Sequence, residues 1–142
     1  MEENFVQSEE YRRACEAQLA RDFWFMCCKR PNEFEEVEDW ADLCECMEWN
    51  NGWLFEFYNL CRQLLTEVKS DFHWTQLKEK YGTANCYYAG GITKYGQELI
   101  EQFEKDSAEI CEWCGKPGKI KNVGNWYVTL CDDCLDKYNK EY

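Results

Sequence analysis

Two short cysteine pairs, CEWC at residues 111–114 and CDDC at residues 131–134, determine how the C-terminal third of this chain is expected to fold. Sixteen residues separate the pairs, which is a spacing typical of zinc sites with four cysteine ligands. Each Cys-x-x-Cys turn directs two thiolates to one point, and zinc takes four such ligands in a tetrahedron. The sequence therefore predicts one zinc ion bound by Cys111, Cys114, Cys131 and Cys134.

The residues between the two pairs predict a small zinc ribbon. Gly115 and the Pro117-Gly118 turn follow the first pair, and the apolar run at residues 126–130 predicts a strand that returns the chain to Cys131. Four thiolates close the coordination shell and leave no position for a catalytic water, so the ion is expected to be structural. A pair of disulfides is the alternative, and it would require an oxidising compartment.

Composition places the chain among cytoplasmic proteins with reduced cysteines. The 142 residues fit one domain, or one domain with a small appended ribbon. No apolar run approaches the twenty residues of a membrane span, and the acidic N-terminus lacks the basic and apolar regions of a signal peptide. An odd number of cysteines, 11, also excludes complete disulfide pairing within one chain.

The formal net charge of −12 argues against binding of nucleic acid by the surface as a whole, because an acidic surface repels phosphates. An acidic surface suits a basic partner instead, for example the nucleic-acid groove of another protein. The alternative is that the charge only keeps the protein soluble.

Hydrophobic periodicity predicts an α+β fold. Apolar residues at helical spacing predict helices over residues 9–29, with Ser8 as the N-cap, over 32–49, over 53–69 and over 92–107. Aromatic and β-branched residues from Phe72 to Tyr88, around a turn at residues 80–83, predict a β-hairpin. We therefore expect an acidic helical region at residues 1–49, a helix–hairpin–helix core at 50–109, and the zinc ribbon with a short C-terminal tail at 110–142.

The predicted second helix would carry a row of carboxylates on its outer face. A row of this kind can imitate the phosphates of DNA, although most such rows are simply solvated. Trp40 or Trp49 could serve as an apolar anchor for a partner. The candidate partner-binding residues are Glu35, Glu36, Glu38, Asp39, Trp40, Asp42 and Glu45.

The sequence contains few residue patterns typical of catalytic sites, so the chain is expected not to be an enzyme. His73 is the sole histidine, and a structural role suits it better than a catalytic one. Gly90-Gly91 lacks the Lys-Ser or Lys-Thr of a phosphate-binding loop. Glu112 lies within a closed cysteine knuckle, which differs from the zinc deaminase arrangement of ligand, glutamate and metal-bound water.

Several short motifs together resemble a family of small, uncharacterised zinc-binding proteins of bacteriophages and bacteria. They are Gly52-Trp53, the segment QLKEKYG at 76–82, Tyr87-Tyr88, CEWCGKPG at 111–118 and TLC at 129–131, and they cover roughly residues 50–134. The resemblance implies a phage-associated zinc protein without assigned enzymatic activity, in which Cys134 occupies a position that relatives fill with Cys or His. Relatives usually have Leu-Arg where this chain has Ala84-Asn85.

Three functions are compatible with these features. The first is an inhibitor of a host protein, plausibly of a bacterial defence effector in the manner of an anti-CRISPR protein, which uses the acidic surface as a DNA mimic. The second is a nucleic-acid-associated zinc ribbon that uses Lys116, Lys119, Lys121 and Trp126. The third is a nucleotide-capturing protein with a pocket beside Tyr87-Tyr88.

Overall fold

The structure is a computed structural model that describes residues 5–26 and 36–141. Within this part of the chain it contains four α-helices and two antiparallel β-hairpins, so the predicted α+β class is confirmed. The helices are α1 (Glu9–Asp22), α2 (Leu54–Leu64), α3 (Lys94–Ser107) and α4 (Asp132–Glu141). The strands are β1 (His73–Lys80), β2 (Thr83–Ala89), β3 (Lys119–Val123) and β4 (Trp126–Leu130). Short 3₁₀ helices cover Phe5–Gln7, Trp24–Met26, Trp40–Leu43 and Asn51–Trp53.

The first helix begins as predicted but ends earlier. The Ser8 side chain accepts a hydrogen bond from the Tyr11 N–H, as expected of an N-cap. The helix ends at Asp22, and Phe23 has an extended backbone. Phe23 and Phe25 are both buried, whereas two residues spaced by two on a continuous helix would point to nearly opposite sides. Ending the helix therefore lets both rings enter the core, and residues 27–29 of the predicted helix lie outside the described residues.

The helix predicted over residues 32–49 is wrong in its described part. Only Trp40–Leu43 is helical, as a 3₁₀ turn that the Asp39 side chain caps. The next residues run along the edge of β1, where the Leu77 N–H donates to the Cys46 carbonyl and the Glu48 N–H donates to the Leu77 carbonyl. Pairing with an open strand edge satisfies backbone groups that the helix would otherwise have satisfied.

The third predicted helix is also shorter than its periodic pattern. It ends at Leu64 instead of Lys69, and Val68 forms an isolated β-bridge with Ile92. The Lys69 N–H donates to the Gly91 carbonyl, and the Thr93 N–H donates to the Glu67 carbonyl. Extended pairing between these two segments replaces the last helical turn and fixes the entry to α3.

The main core is dominated by aromatic rings. Trp53, Phe57 and Trp74 are each fully buried, and Trp49, at 2% exposure, lies against Trp53 and Phe57 with ring centroids 5.8 and 5.0 Å away. Each buried aromatic side chain contributes roughly 1.5–3 kcal/mol through apolar burial. This cluster includes residues on both sides of residue 50, so the acidic segment and the helix–hairpin–helix segment bury side chains in one core.

The ribbon has its own smaller core, which includes a helix that was not predicted. Residues 135–141, predicted as part of a short C-terminal tail, belong to α4. Leu135 and Tyr138 of this helix pack against the ribbon core around Val128 and Leu130. The two pairs of strands remain separate sheets, β1–β2 and β3–β4.

The ribbon backbone lies directly against the main core at Gly52. The Gly52 N–H donates to the Glu112 carbonyl at 2.8 Å, and the Trp53 Nε1–H donates to the Ile110 carbonyl at 2.8 Å. A Cβ atom at residue 52 would lie only 2.0 Å from the Cys111 carbonyl oxygen. Residue 52 must therefore be glycine because the backbone of the cysteine knuckle occupies the space of a side chain.

We expect Gly52→Ala to lower the free energy of unfolding by about 3 kcal/mol, at the upper end of the usual cost of overpacking, because two backbone segments must move apart. Chemical denaturation measures this change. Gly124→Asn is the control, since residue 124 has a φ of 59°, which asparagine tolerates, and no atom within 4 Å of an added Cβ. Equal stability of Gly52→Ala and the parent protein would contradict the close approach.

Candidate metal centre

The four predicted cysteines meet at one end of the ribbon. Cys111 and Cys114 lie on a turn that the Gly115 N–H closes by donating to the Cys111 carbonyl at 2.9 Å, with Gly115 at a φ of 81°. Cys131 follows β4, and Cys134 lies in the first turn of α4. The four Sγ atoms are all within 4.8 Å of one another, so the predicted ligand set forms a cluster that could bind a metal ion.

The spacing of the sulfur atoms fits a tetrahedral site. Four sulfurs at about 2.3 Å from a central ion would be separated by about 3.8 Å along each edge of the tetrahedron. The Cys114 and Cys131 Sγ atoms are 3.7 Å apart. Three of the four cysteines are buried, and Cys131 is half-buried, so an ion held between them would be shielded from water.

The pKa of the Cys131 thiol is lowered, which favours the thiolate form that binds a cation. Burial raises the pKa of the Cys131 thiol, but hydrogen bonds from the Cys134 N–H and from the neighbouring thiols lower the pKa further than burial raises it. The Cys134 N–H lies 3.5 Å from the Cys131 Sγ, so this sulfur accepts from the first turn of α4, where the helix dipole also favours negative charge. At Cys114, by contrast, burial raises the thiol pKa to about 11.

An N-terminal residue touches the cluster from outside the ribbon. The Gln7 Nε2 donates to the Cys134 Sγ at 3.5 Å, and the Lys137 Nζ donates to the Gln7 Oε1 at 3.4 Å. Hydrogen bonds to ligating sulfur atoms tune a metal site and orient its ligands. Gln7 was not among the predicted site residues, because a contact across 127 residues leaves no local sequence pattern.

Glu112 connects the knuckle to the main core. Its side chain is 4% exposed; Oε2 accepts from the Thr129 N–H at 3.2 Å, and Oε1 accepts from the Asn50 Nδ2 at 3.4 Å. Burial, above all, raises the pKa of this carboxyl group to about 7. The sequence excluded a deaminase-like role for Glu112 on motif grounds. The structure adds the positive finding that both of its carboxylate oxygens are engaged, Oε2 within the ribbon at Thr129 and Oε1 at Asn50 beside the main core.

The other described cysteines do not add to this cluster. Among the residues that the structure describes, the four ribbon cysteines form the one group of three or more potential ligands close enough for a metal ion. The Cys44 Sγ donates to the Glu16 carbonyl, and the Cys46 Sγ donates to the Met26 carbonyl. Burial raises the pKa of the Cys61 and Cys86 thiols well above the usual value. Cys27 and Cys28 lie outside the described residues.

Arg13 neutralises part of the negative charge of the candidate partner-binding residues. Arg13 on α1 pairs with Asp39 and with Asp42, the latter at 2.8 Å. Glu36, Glu38 and Glu45 are exposed, and Glu35 lies outside the described residues. Of the two proposed apolar anchors, Trp40 is half-buried against the main core and Trp49 is a core residue, so the proposal of Trp49 as an anchor is wrong.

Two further candidates have ordinary structural environments. The His73 Nδ1 lies 3.1 Å from the Asp71 carbonyl oxygen, which is a local turn contact. Lys121, one of the ribbon lysines, lies 3.5 Å from an Asp132 carboxylate oxygen, while Trp126 is largely exposed at the ribbon tip.

None of the helices in the described ranges has the length and apolar character needed to cross a membrane.

Comparison of this chain with protein-family models, with curated proteins and with solved structures finds no match.

Truncating Glu112 should lower the stability of the ribbon. Glu112→Ala leaves the buried Thr129 N–H without its carboxylate acceptor, which costs about 1–3 kcal/mol of unfolding free energy. Glu112→Gln keeps an amide oxygen as an acceptor and should retain most of that stability. Chemical denaturation of both variants measures the difference. Equal loss in the two variants would show that the hydrogen bond contributes little.

Removing one of the four ribbon thiols should abolish metal retention. Cys131→Ser is expected to reduce bound metal from about one ion per chain to near zero and to expose residues 110–141 to proteolysis, because ligand binding supplies folding free energy to such sites. Elemental analysis and limited proteolysis measure both effects. Cys15→Ser, which removes a thiol from α1, should change neither. Unaltered metal content in Cys131→Ser would exclude the site.

Proposed function

We propose that the ribbon cysteines bind one structural zinc ion. A set of four sulfur ligands favours zinc among the common divalent ions, and the 3.7 Å separation of the Cys114 and Cys131 sulfurs suits its bond lengths. When bound, the ion links the Cys111–Cys114 turn to the start of α4. With four protein ligands it keeps no open position, so its contribution is to folding and not to a reaction.

The protein as a whole is proposed to act by binding, as a non-enzymatic inhibitor of a host protein. The observation that carries this proposal is the arrangement of the acidic segment, which we define as residues 36–48. Ala41, Cys44 and Met47 are buried and anchor the segment to the main core, and carboxylates between them face solvent. The exposed carboxylates are those of Glu36, Glu38, Asp39, Asp42, Glu45 and Glu48.

This alternation matters because it fixes the positions of the exposed charges. A solvated carboxylate row on a mobile segment would lose conformational entropy on binding, whereas a segment anchored at every third residue has already been ordered. The net charge of −12 adds a long-range attraction to basic surfaces and raises association rates with them. A rigid anionic surface of this kind supports binding to a groove that normally holds a phosphate backbone.

The carboxylates do not contribute equally under this proposal. Asp39 and Asp42 form ion pairs with Arg13 on α1. Their main role is therefore to attach the acidic segment to α1. Hydrogen bonds from the Ala41 N–H and Arg13 lower the pKa of the Asp39 carboxyl group, which keeps it charged. Glu36, Glu38 and Glu45 are exposed and are the residues through which we expect a partner to be contacted.

The partner is proposed to be a basic, nucleic-acid-binding host protein in the bacterial cytoplasm, with a defence effector such as a CRISPR nuclease as the concrete case. This part of the proposal follows the resemblance of residues 50–134 to phage proteins, together with the charge of the acidic segment. Inhibition would result from occupation of the nucleic-acid groove.

Charge reversal within the acidic segment tests the proposal. Glu38→Lys combined with Glu45→Lys should reduce capture of a basic protein from bacterial lysate at least tenfold, because two charges at the contact reverse sign and the net charge there changes by four units. The control is Glu98→Lys combined with Glu101→Lys, which makes the same net change on exposed positions of α3. Mass spectrometry identifies and quantifies the captured protein.

The captured protein should also be released by duplex DNA, since the proposal requires that both ligands use one groove. Equal capture by the acidic-segment variant and the α3 variant would contradict the proposal. So would a partner that binds duplex DNA and this protein simultaneously.

A further inference from the structure

A surface formed by both hairpins has the opposite character to the acidic segment. We name it the hairpin face and define it as Lys78, Lys80, Tyr81, Tyr87 and Tyr127. Tyr81 is 69% exposed and Tyr127 is 44% exposed, and their ring centroids are 6.5 Å apart at an angle of 72°. Large exposed aromatic rings in adjacent positions commonly mark a binding surface.

The two hairpins are fixed to one another at this surface. The Thr129 Oγ1 donates to the Gly82 carbonyl, which joins β4 to the β1–β2 turn. Thr129 is paired with Ile120, and Tyr127 lies two residues before Thr129 on the same side of its strand. Tyr127 and Ile120 therefore border the turn that carries Tyr81.

The β1–β2 turn presents Tyr81 at a conformational cost. Tyr81 has a φ of 54° and Gly82 a φ of 83°, which is the pattern of a two-residue turn that prefers Asn-Gly. A bulky side chain is unfavourable in this left-handed region. The turn itself would therefore form more readily with asparagine, and a function for the exposed ring accounts for the tyrosine.

Lysines accompany the rings on the outer side of β1 and β2. The pairs Gln76–Tyr87, Lys78–Asn85 and Lys80–Thr83 share one side of the hairpin, and none of these six residues is acidic. The Lys80 Nζ lies 5.8 Å from the Tyr81 ring centroid, and the Lys78 Nζ lies 5.6 Å from the Tyr87 ring centroid. Each of these two lysine–tyrosine pairs thus combines an ammonium group with an aromatic ring.

The neighbouring acid on β1 is directed elsewhere. The Gly82 N–H donates to the Glu79 Oε1 at 2.7 Å. Glu79 lies between Lys78 and Lys80 in the strand, so its side chain is on the opposite side of the hairpin from theirs.

The hairpin face itself carries two lysines and no acid. Glu48 of the acidic segment borders it, since the Glu48 Oε2 accepts from the Gln76 Nε2 at 3.1 Å. Because charges beyond a Debye length of about 8 Å are largely screened at physiological ionic strength, the local charge of the hairpin face can determine what binds there.

We propose that the hairpin face binds single-stranded nucleic acid. Tyr81, Tyr127 and Tyr87 would stack on bases, and Lys78 and Lys80 would contact phosphates, which is how stacking surfaces bind single strands without reading their sequence. A duplex is a poor fit, because its bases are already stacked on one another. This activity goes beyond the proposed inhibition and uses residues separate from the acidic segment.

Fluorescence anisotropy with a labelled deoxythymidine oligonucleotide of about 12 nucleotides tests the proposal on the full chain. Tyr81→Asn and Tyr127→Ala should each weaken binding roughly 5- to 150-fold, the range expected for loss of one base–aromatic stack. Tyr81→Asn removes the ring while favouring the left-handed turn, so the variant is expected to fold. Tyr95→Ala, which removes an exposed ring from α3, is the matched control and should leave binding unchanged.

Salt dependence tests the lysine contacts separately. Lys80→Ala should reduce the slope of log affinity against log salt by about 0.7, the value for one phosphate contact with a single strand. A uridine oligonucleotide of equal length distinguishes an RNA ligand from a DNA ligand, and thermal unfolding with metal analysis checks that each variant is intact.

Absence of binding at low salt would overturn the proposal, as would equal affinities of Tyr81→Asn, Tyr127→Ala and Tyr95→Ala. Tighter binding of duplex than of single strand would also overturn it. So would sedimentation of the protein as a dimer that Tyr81→Asn converts to a monomer, since a second copy would then cover the hairpin face. None of these results depends on the acidic segment, whose variants report on the proposed inhibition alone.

Discussion

The contact between the Gly52 backbone and the Cys111–Glu112 backbone is the constraint on which the arrangement of this protein depends. Two main-chain segments distant in sequence approach so closely that no side chain fits between them. Hydrogen bonds from Gly52 and Trp53 to the carbonyls of Glu112 and Ile110 close the joint. The cluster of four cysteines is thereby held against the aromatic core, and the hairpins, which also meet at Gly82 and Thr129, are fixed relative to it.

This joint gives the ribbon a role beyond its own folding. A four-cysteine ribbon has too little apolar surface to be stable alone, and metal binding supplies much of its free energy of folding. Here the ribbon also completes the surface around the β1–β2 turn, because β4 supplies Tyr127 and Thr129. If the cysteines bind an ion as proposed, its loss would change the conformation of the hairpin face as well as that of the cysteine cluster.

The protein presents two surfaces of different chemistry on one core. The acidic segment is anchored by buried residues at every third position and is joined to α1 through Arg13. The hairpin face combines lysines with exposed tyrosines. A protein that occupies the nucleic-acid groove of a partner through the first surface could contact a nucleic acid strand of the same complex through the second. The two surfaces can be varied independently, since they share no residue.

The sequence by itself determined the four-cysteine cluster, the α+β class and the turn at residues 80–83, because each follows from local spacing or from local residue pattern. It misjudged the segment at residues 36–49, where apolar residues three and four apart suggested a helix. Tertiary structure decided that segment, since the open edge of β1 offered its backbone better partners. It also decided the positions of Gln7, Gly52 and Glu112, whose roles arise from contacts across the chain. No local sequence pattern predicts such contacts, because they depend on how the helices and strands pack against one another after they have formed.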